Sequence, residues 1–125
     1  MTYEYQGTVM RWVDGDTVWL TVWREERMDF GFRARLTVRF EHDLCFRVYG
    51  INTPEDSAGK PAAARARELA PMGSPVTALT YKPNDSDKYG RWLATIRTPA
   101  GIDVAAELIA EGHGRPYFGG TRDAN

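Results

Sequence analysis

The stretch "DTVWLTVW" (16–23) leaves few choices of fold. Val18, Leu20 and Val22 alternate with Thr17, Trp19, Thr21 and Trp23, and a period of two marks a pleated strand with one face on a core. Just before it stands Asp14-Gly15, the strongest short hairpin signal. Strand, turn and strand are therefore predicted over 7–23. "RARLTVRF" (33–40) alternates again, with Leu36, Val38 and Phe40 on one face and Arg35, Thr37 and Arg39 on the other. "LCFRVYG" (44–50) puts Leu44, Phe46 and Val48 on the core face and turns Arg47 away from it with Cys45 and Tyr49. Between these strands, "REERMDFGF" (24–32) reads as a charged, irregular connection and "EHD" (41–43) as a turn. "PVTALTY" (75–81) and "RWLATIRT" (91–98) are further strands on either side of the polar loop "KPNDSDKYG" (82–90).

Two segments have helical character. "KPAAARARELAPM" (60–72) is rich in alanine, the best helix former, and Pro61 suits a first turn. "DVAAELIAEG" (103–112) begins at Asp103, a good N-cap, and stops at Gly112. "HGRPYFGGTRDAN" is glycine-rich, so 116–125 is expected to be an irregular tail. Short strands with one helix inserted late and another near the end predict a single α+β domain over 1–125, with a small barrel as its core.

Bulk properties narrow the function classes. No stretch approaches the roughly 20 apolar residues of a membrane span, and "MTYEYQGTVM" lacks a basic segment leading into an apolar one. The single cysteine, Cys45, excludes an internal disulfide and a cysteine-based metal site. A cytoplasmic monomer without a membrane partner is expected. The formal net charge of −1 argues against a protein that coats nucleic acid by charge alone. The cations are nonetheless skewed, thirteen arginines against three lysines. The arginine fork suits bidentate phosphate contacts, and equally suits surface ion pairs.

Three stretches carry chemistry in combination. "VDGDTVWL" (13–20) sets two carboxylates, Asp14 and Asp16, beside a glycine at the mouth of a hairpin, and hard cations such as Ca²⁺ take oxygen ligands of this kind. "FRVYGINTPE" (46–55) places Arg47, Asn52, Thr53 and Glu55 within nine positions. Its second half also reads as a Thr cap with proline in a first turn. "DKYGRWLA" (87–94) adds Lys88, Tyr89 and Arg91. Each alone is explained by turns, caps or solvated loops; the three in this order are far more specific.

With "GIDVAAELIAEGH" (101–113) added, these stretches make the chain resemble the staphylococcal nuclease (thermonuclease) family from about residue 14 to 113. The resemblance implies a five-stranded OB-type barrel with two or so helices packed on it. It also implies Ca²⁺-dependent hydrolysis of phosphodiester bonds in DNA or RNA, single-stranded by preference, leaving 3′-phosphate ends. One Ca²⁺ would be held by Asp16, Asn52 and the backbone carbonyl of Thr53, with Asp14 in support. Glu55 falls at the position of the general base, and Arg47 and Arg91 at those of the phosphate-binding arginines. Lys88 and Tyr89 match residues that contact a terminal phosphate of a bound nucleotide.

The sequence departs from the family in three places. Asn52 stands where the best-known members carry Asp, so one negative charge is missing from the cation site and weaker metal binding is expected. The segment 24–43 is longer than the family needs and is expected to extend the hairpin or add a loop near the site. There Arg33, Arg35 and Arg39 would face solvent or nucleic acid. A final helix is replaced by "RPYFGGTRDAN", where Tyr117 or Phe118 could stack on a base. The competing expectations are an OB-type nucleic-acid-binding module that has lost catalysis and, less well matched to the site residues, a protein-interaction domain.

Overall fold

The computed structural model describes residues 3–81 and 92–117. Within them the order is β1 (Tyr3–Asp14), β2 (Thr17–Asp29), β3 (Arg35–Val48), β4 (Gly50–Asn52), a 3-10 turn (Asp56–Gly59), α1 (Lys60–Leu69), β5 (Pro75–Tyr81), β6 (Trp92–Arg97), α2 (Val104–Ala110) and β7 (Arg115–Tyr117). Five strands close into a barrel in the order β1-β2-β3-β6-β5, and β4 pairs with β7 in a separate two-stranded sheet. This is the α+β barrel that the pattern predicts, with the five strands and two helices that the resemblance implies.

The alternation in β2 fills the barrel. Val18, Leu20 and Val22 are buried and lie opposite Phe46, Leu44 and His42 of β3. Val9, Trp12, Val76, Ala78, Ala94 and Ile96 complete the same core with Val104 and Leu108 of α2. The thin apolar face of α1 is made of Ala62, Ala63 and Ala66. Alanines let the helix sit close to β1, where Trp12 Nε1–H donates to the Ala70 carbonyl at 2.9 Å. Asp103 caps α2 by accepting from the Ala106 N–H at 3.2 Å. No helix among the described residues is long and apolar enough to cross a membrane.

Several expectations need correction. Of the expected irregular connection 24–32, residues 24–29 are strand and only 30–32 belong to a turn, and residues 41–43 are strand, not a turn. Strands β2 and β3 run without a break from the pair Thr17↔Arg47 to the pair Asp29↔Arg35, so the hairpin continues beyond the barrel as a two-stranded ribbon. Arg24 pairs with Glu26 at 2.6 Å, Arg39 pairs with Glu41 at 3.0 Å, and the Arg39 guanidinium lies 4.4 Å from the Trp23 ring centroid. The ribbon turns at Phe30–Ala34, where the Asp29 carboxylate accepts the Gly31 N–H at 2.8 Å. Leu36 and Phe40 do share a face, but that face is open to solvent. The tail expected to be irregular from 116 starts instead inside β7; residues 118–125, including Phe118, lie outside the described residues.

Candidate active site

The Asp14↔Thr17 pair leaves Gly15 and Asp16 as a two-residue hairpin loop at one end of the barrel. Gly15 is required there. A Cβ would come within 2.8 Å of the Ala62 Cβ and 2.9 Å of the Thr53 Cγ2, so only glycine lets the turn nestle against α1 and the segment after β4. The close fit brings Asp16 onto two other elements. Its carbonyl accepts the Val48 N–H at 2.9 Å. Its Oδ2 accepts the Thr53 N–H at 3.1 Å, and its Oδ1 accepts the Thr17 hydroxyl at 3.3 Å. Asp14 Oδ1 accepts the Asp16 N–H at 3.1 Å, which ties the Asp14 carboxylate to the backbone of the turn.

Arg47 lies opposite Thr17 on the outward face of the barrel wall, beside this turn. Its Nη1 donates to the Val48 carbonyl at 2.8 Å and to the Asp16 carbonyl at 3.4 Å. Its Nη2 donates to Asn52 Oδ1 at 3.4 Å and stands 3.7 Å from Asp16 Oδ2. The planar fork thus spans the β1–β2 turn, β3 and β4 at once, which a lysine ammonium would not do. The Tyr117 ring centroid lies 5.9 Å from the Arg47 Cζ, on the strand that pairs with β4.

Electrostatics divide the two carboxyls. Burial pushes the Asp14 carboxyl up to about 6, and the neighbouring Asp16 adds to the rise. Burial acts in the same direction on Asp16, but the Asp14 carboxyl, the Arg47 guanidinium and the Thr53 N–H outweigh it and hold Asp16 below the usual carboxylate range. Asp16 is therefore the settled anion of the pair, and Asp14 carries a charge that the site poorly tolerates.

The structure brings together Asp14, Asp16, Arg47, Asn52, Thr53 and Tyr117 of the residues singled out by sequence. Glu55 follows two positions after Thr53, exposed, as the extended N-cap of the 3-10 turn, with no side-chain capping bond. Thr53 is not the cap. It is 3% exposed, and its Oγ1 has no hydrogen-bond partner among the described residues. Lys88, Tyr89 and Arg91 lie outside the described residues. Sequence reasoning passed over Thr17, whose hydroxyl is bonded to the Asp16 carboxylate; its position next to an acidic turn was the available signal. It also passed over Arg115, which falls opposite Asn52 and had no signal before β7 was seen.

The donor set suits a hard cation. No group of three His, Cys, Asp or Glu side chains gathers among the described residues. The Asp14 and Asp16 carboxylates, the Asn52 amide oxygen and the Thr53 carbonyl are nevertheless oxygens of the kind Ca²⁺ or Mg²⁺ takes. The orphaned Thr53 hydroxyl and the raised Asp14 carboxyl are both groups that a cation would satisfy.

Comparison with known proteins identifies relatives of the chain. The chain is 28% identical over 122 residues to "Endonuclease YhcR" of Bacillus subtilis (strain 168), an alignment that covers 92% of this chain and 9% of that protein. The chain thus spans less than a tenth of that relative's length. Residues 45–124 match the family model described as "Staphylococcal nuclease homologue". That match takes in the β3–β4 side of the site, leaves the Asp14–Asp16 turn upstream of it, and covers more than half of the sequence; the chain belongs to the staphylococcal nuclease homologue family.

Proposed function

We propose that the protein is a Ca²⁺-dependent nuclease that hydrolyses phosphodiester bonds of DNA or RNA, single-stranded by preference, and leaves 3′-phosphate ends. The observation that carries this reading is the convergence of Asp16, Arg47, Asn52 and Thr53 from separate elements on one turn at the barrel end. The Asp16 carboxylate meets Arg47 and the Thr53 N–H, and Arg47 in turn meets the Asn52 amide, which sets a carboxylate, a planar cation and a second oxygen donor side by side as phosphodiester hydrolysis requires.

In this proposal Asp16, Asn52 and the Thr53 carbonyl hold the cation, with Asp14 in support. When bound, the cation polarises a phosphoryl oxygen. The remaining work falls to the chain. Arg47 presents a guanidinium to the equatorial oxygens, and its charge-assisted hydrogen bonds strengthen as negative charge develops on the pentacoordinate transition state. Family resemblance gives the second grip to Arg91 and contacts with a terminal phosphate to Lys88 and Tyr89. Glu55, exposed beyond Pro54, orients the attacking water and takes its proton. Tyr117 lines the Arg47 side and offers a ring face to a base.

The test is release of acid-soluble nucleotides from denatured DNA with Ca²⁺, with and without chelator, beside Glu55→Ala. Activity that disappears with chelator and falls steeply in the variant is the expected result. Binding of DNA without cleavage, with parent and variant alike, would leave a binding module and overturn the enzyme.

A further inference from the structure

Strand β7 was not anticipated, and it places a further cation beside the site. Its register on β4 is Gly50↔Tyr117, Ile51↔Pro116 and Asn52↔Arg115. Residues directly opposite in an antiparallel pair project from the same face, with Cβ atoms about 4.5–5.5 Å apart. The face that carries Asn52 is known, because its amide oxygen accepts from Arg47 Nη2 at 3.4 Å. Arg115 therefore leaves β7 on the Arg47 side. Tyr117, two residues along and so on the same face, confirms the orientation independently by lying 5.9 Å from the Arg47 Cζ.

The placement is built into the backbone. Gly114 precedes β7, and a Cβ there would come within 2.7 Å of Ile51 Cδ1 and 3.1 Å of the Asn52 carbonyl. Only glycine lets the chain close down on β4 at this point. Ile51 is fully buried beneath this approach, and Arg115 is exposed on its outer side.

We propose that Arg115 forms a phosphate subsite for a polynucleotide, contacting the phosphodiester group next to the one gripped at Arg47. The inference rests on the nucleic-acid reading above, and it adds which groups of the substrate the chain recognises beyond the scissile phosphate. Asn52 then has one guanidinium on its amide and another across the ladder, and a single strand laid along β4 and β7 meets two cations and the Tyr117 ring. Phosphate contacts carry no sequence information, so the subsite favours polymers over short fragments irrespective of base.

The experiment is equilibrium binding of a fluorescent oligothymidylate and a fluorescent oligoadenylate by the full chain, in chelator so that nothing is cleaved, over a series of salt concentrations. One phosphate contact on a single strand contributes about 0.7 to the slope of log K against log salt. Arg115→Gln is expected to lower the magnitude of the slope by about 0.7 for both oligonucleotides, while Arg115→Lys, which keeps the charge, retains the parent slope. An Arg115→Gln slope equal to the parent's, in a protein where Arg47→Gln does lower it, would overturn the subsite and leave the nuclease reading standing. A parent protein that binds neither oligonucleotide would overturn both.

Discussion

Asp14→Asn should make the metal-free protein more stable, although it removes a residue of the candidate site. The Asp14 carboxyl is raised from 3.8 to about 6, by burial first and by Asp16 second. The native state therefore holds this proton more tightly than the unfolded chain does. Between those two values the folded protein carries more protons, so its stability falls as pH rises through the window and stays reduced above it. At about 1.36 kcal/mol per pH unit, the full shift would amount to roughly 3 kcal/mol at neutral pH. Asp14 is only partly buried, and solvent screening reduces this to about 1–2 kcal/mol.

Asparagine has the shape of a protonated aspartate. Its Oδ1 can still accept the Asp16 N–H, and its amide can donate to the Asp16 carboxylate. The variant should therefore gain about 1–2 kcal/mol in chelator at pH 7.5, or about 3–10 °C in Tm for a domain of this size. The gain should shrink through pH 6 to 4 and vanish below. Asp16, whose carboxyl is held low, contributes stability that is lost only at lower pH, and to first order this cancels in the comparison. Urea denaturation at a series of pH values measures the difference directly. A variant less stable than the parent at pH 7.5, or a gain that does not change with pH, would refute the reasoning. Saturating Ca²⁺ should reverse the order if Asp14 supports the cation, because the parent alone then has its second carboxylate neutralised.

Asn52→Asp should bind Ca²⁺ more tightly than the parent by calorimetry, since it returns a carboxylate to the oxygen set; equal or weaker binding counts against the cation site. Arg47→Lys should lower nuclease activity by about 10²–10³ while the far-UV circular dichroism stays unchanged, because one ammonium cannot span Asp16, Val48 and Asn52 as the fork does. Activity within threefold of the parent would sink that role.

The barrel was legible wherever one strand face is buried and the other is wet. Val18, Leu20 and Val22 in β2, and Phe46 and Val48 in β3, declare themselves because hydropathy alternates with the pleat. Beyond Trp23 the same strands continue with both faces in solvent, so the alternation of hydropathy gives way to charges of both signs. Arg24 with Glu26, and Arg39 with Glu41 and Trp23, hold the ribbon by cross-strand and near-neighbour pairs. A charged run of that kind looks like a connection when read one residue at a time. β7 was hidden for another reason. It is three residues long, contains a proline, and exists because Ile51 must be covered and Gly114 allows the approach, which are facts about its partner and not about its own sequence.

The site shows the same division between what residue types reveal and what only register can fix. Asp16, Arg47 and Asn52 are conspicuous in the sequence because phosphodiester chemistry calls for a carboxylate, a planar cation and a second oxygen donor. Nothing in that pattern says that Arg47 would be committed to the very oxygens proposed for the cation. The pairing Thr17↔Arg47 determines it, by standing the guanidinium beside the Gly15–Asp16 turn, and the close approach of that turn to Thr53 brings in Asn52. Without a metal, Arg47 partly neutralises Asp16 and so stabilises a site that would otherwise repel itself. In the proposed mechanism a cation held by Asp16 and Asn52 would compete for the contacts that Nη2 makes at 3.4 and 3.7 Å, leaving the guanidinium to a phosphate. On that proposal the side chain that offsets the Asp16 charge is also the one the phosphate would meet, so the Thr17↔Arg47 register would serve both tasks.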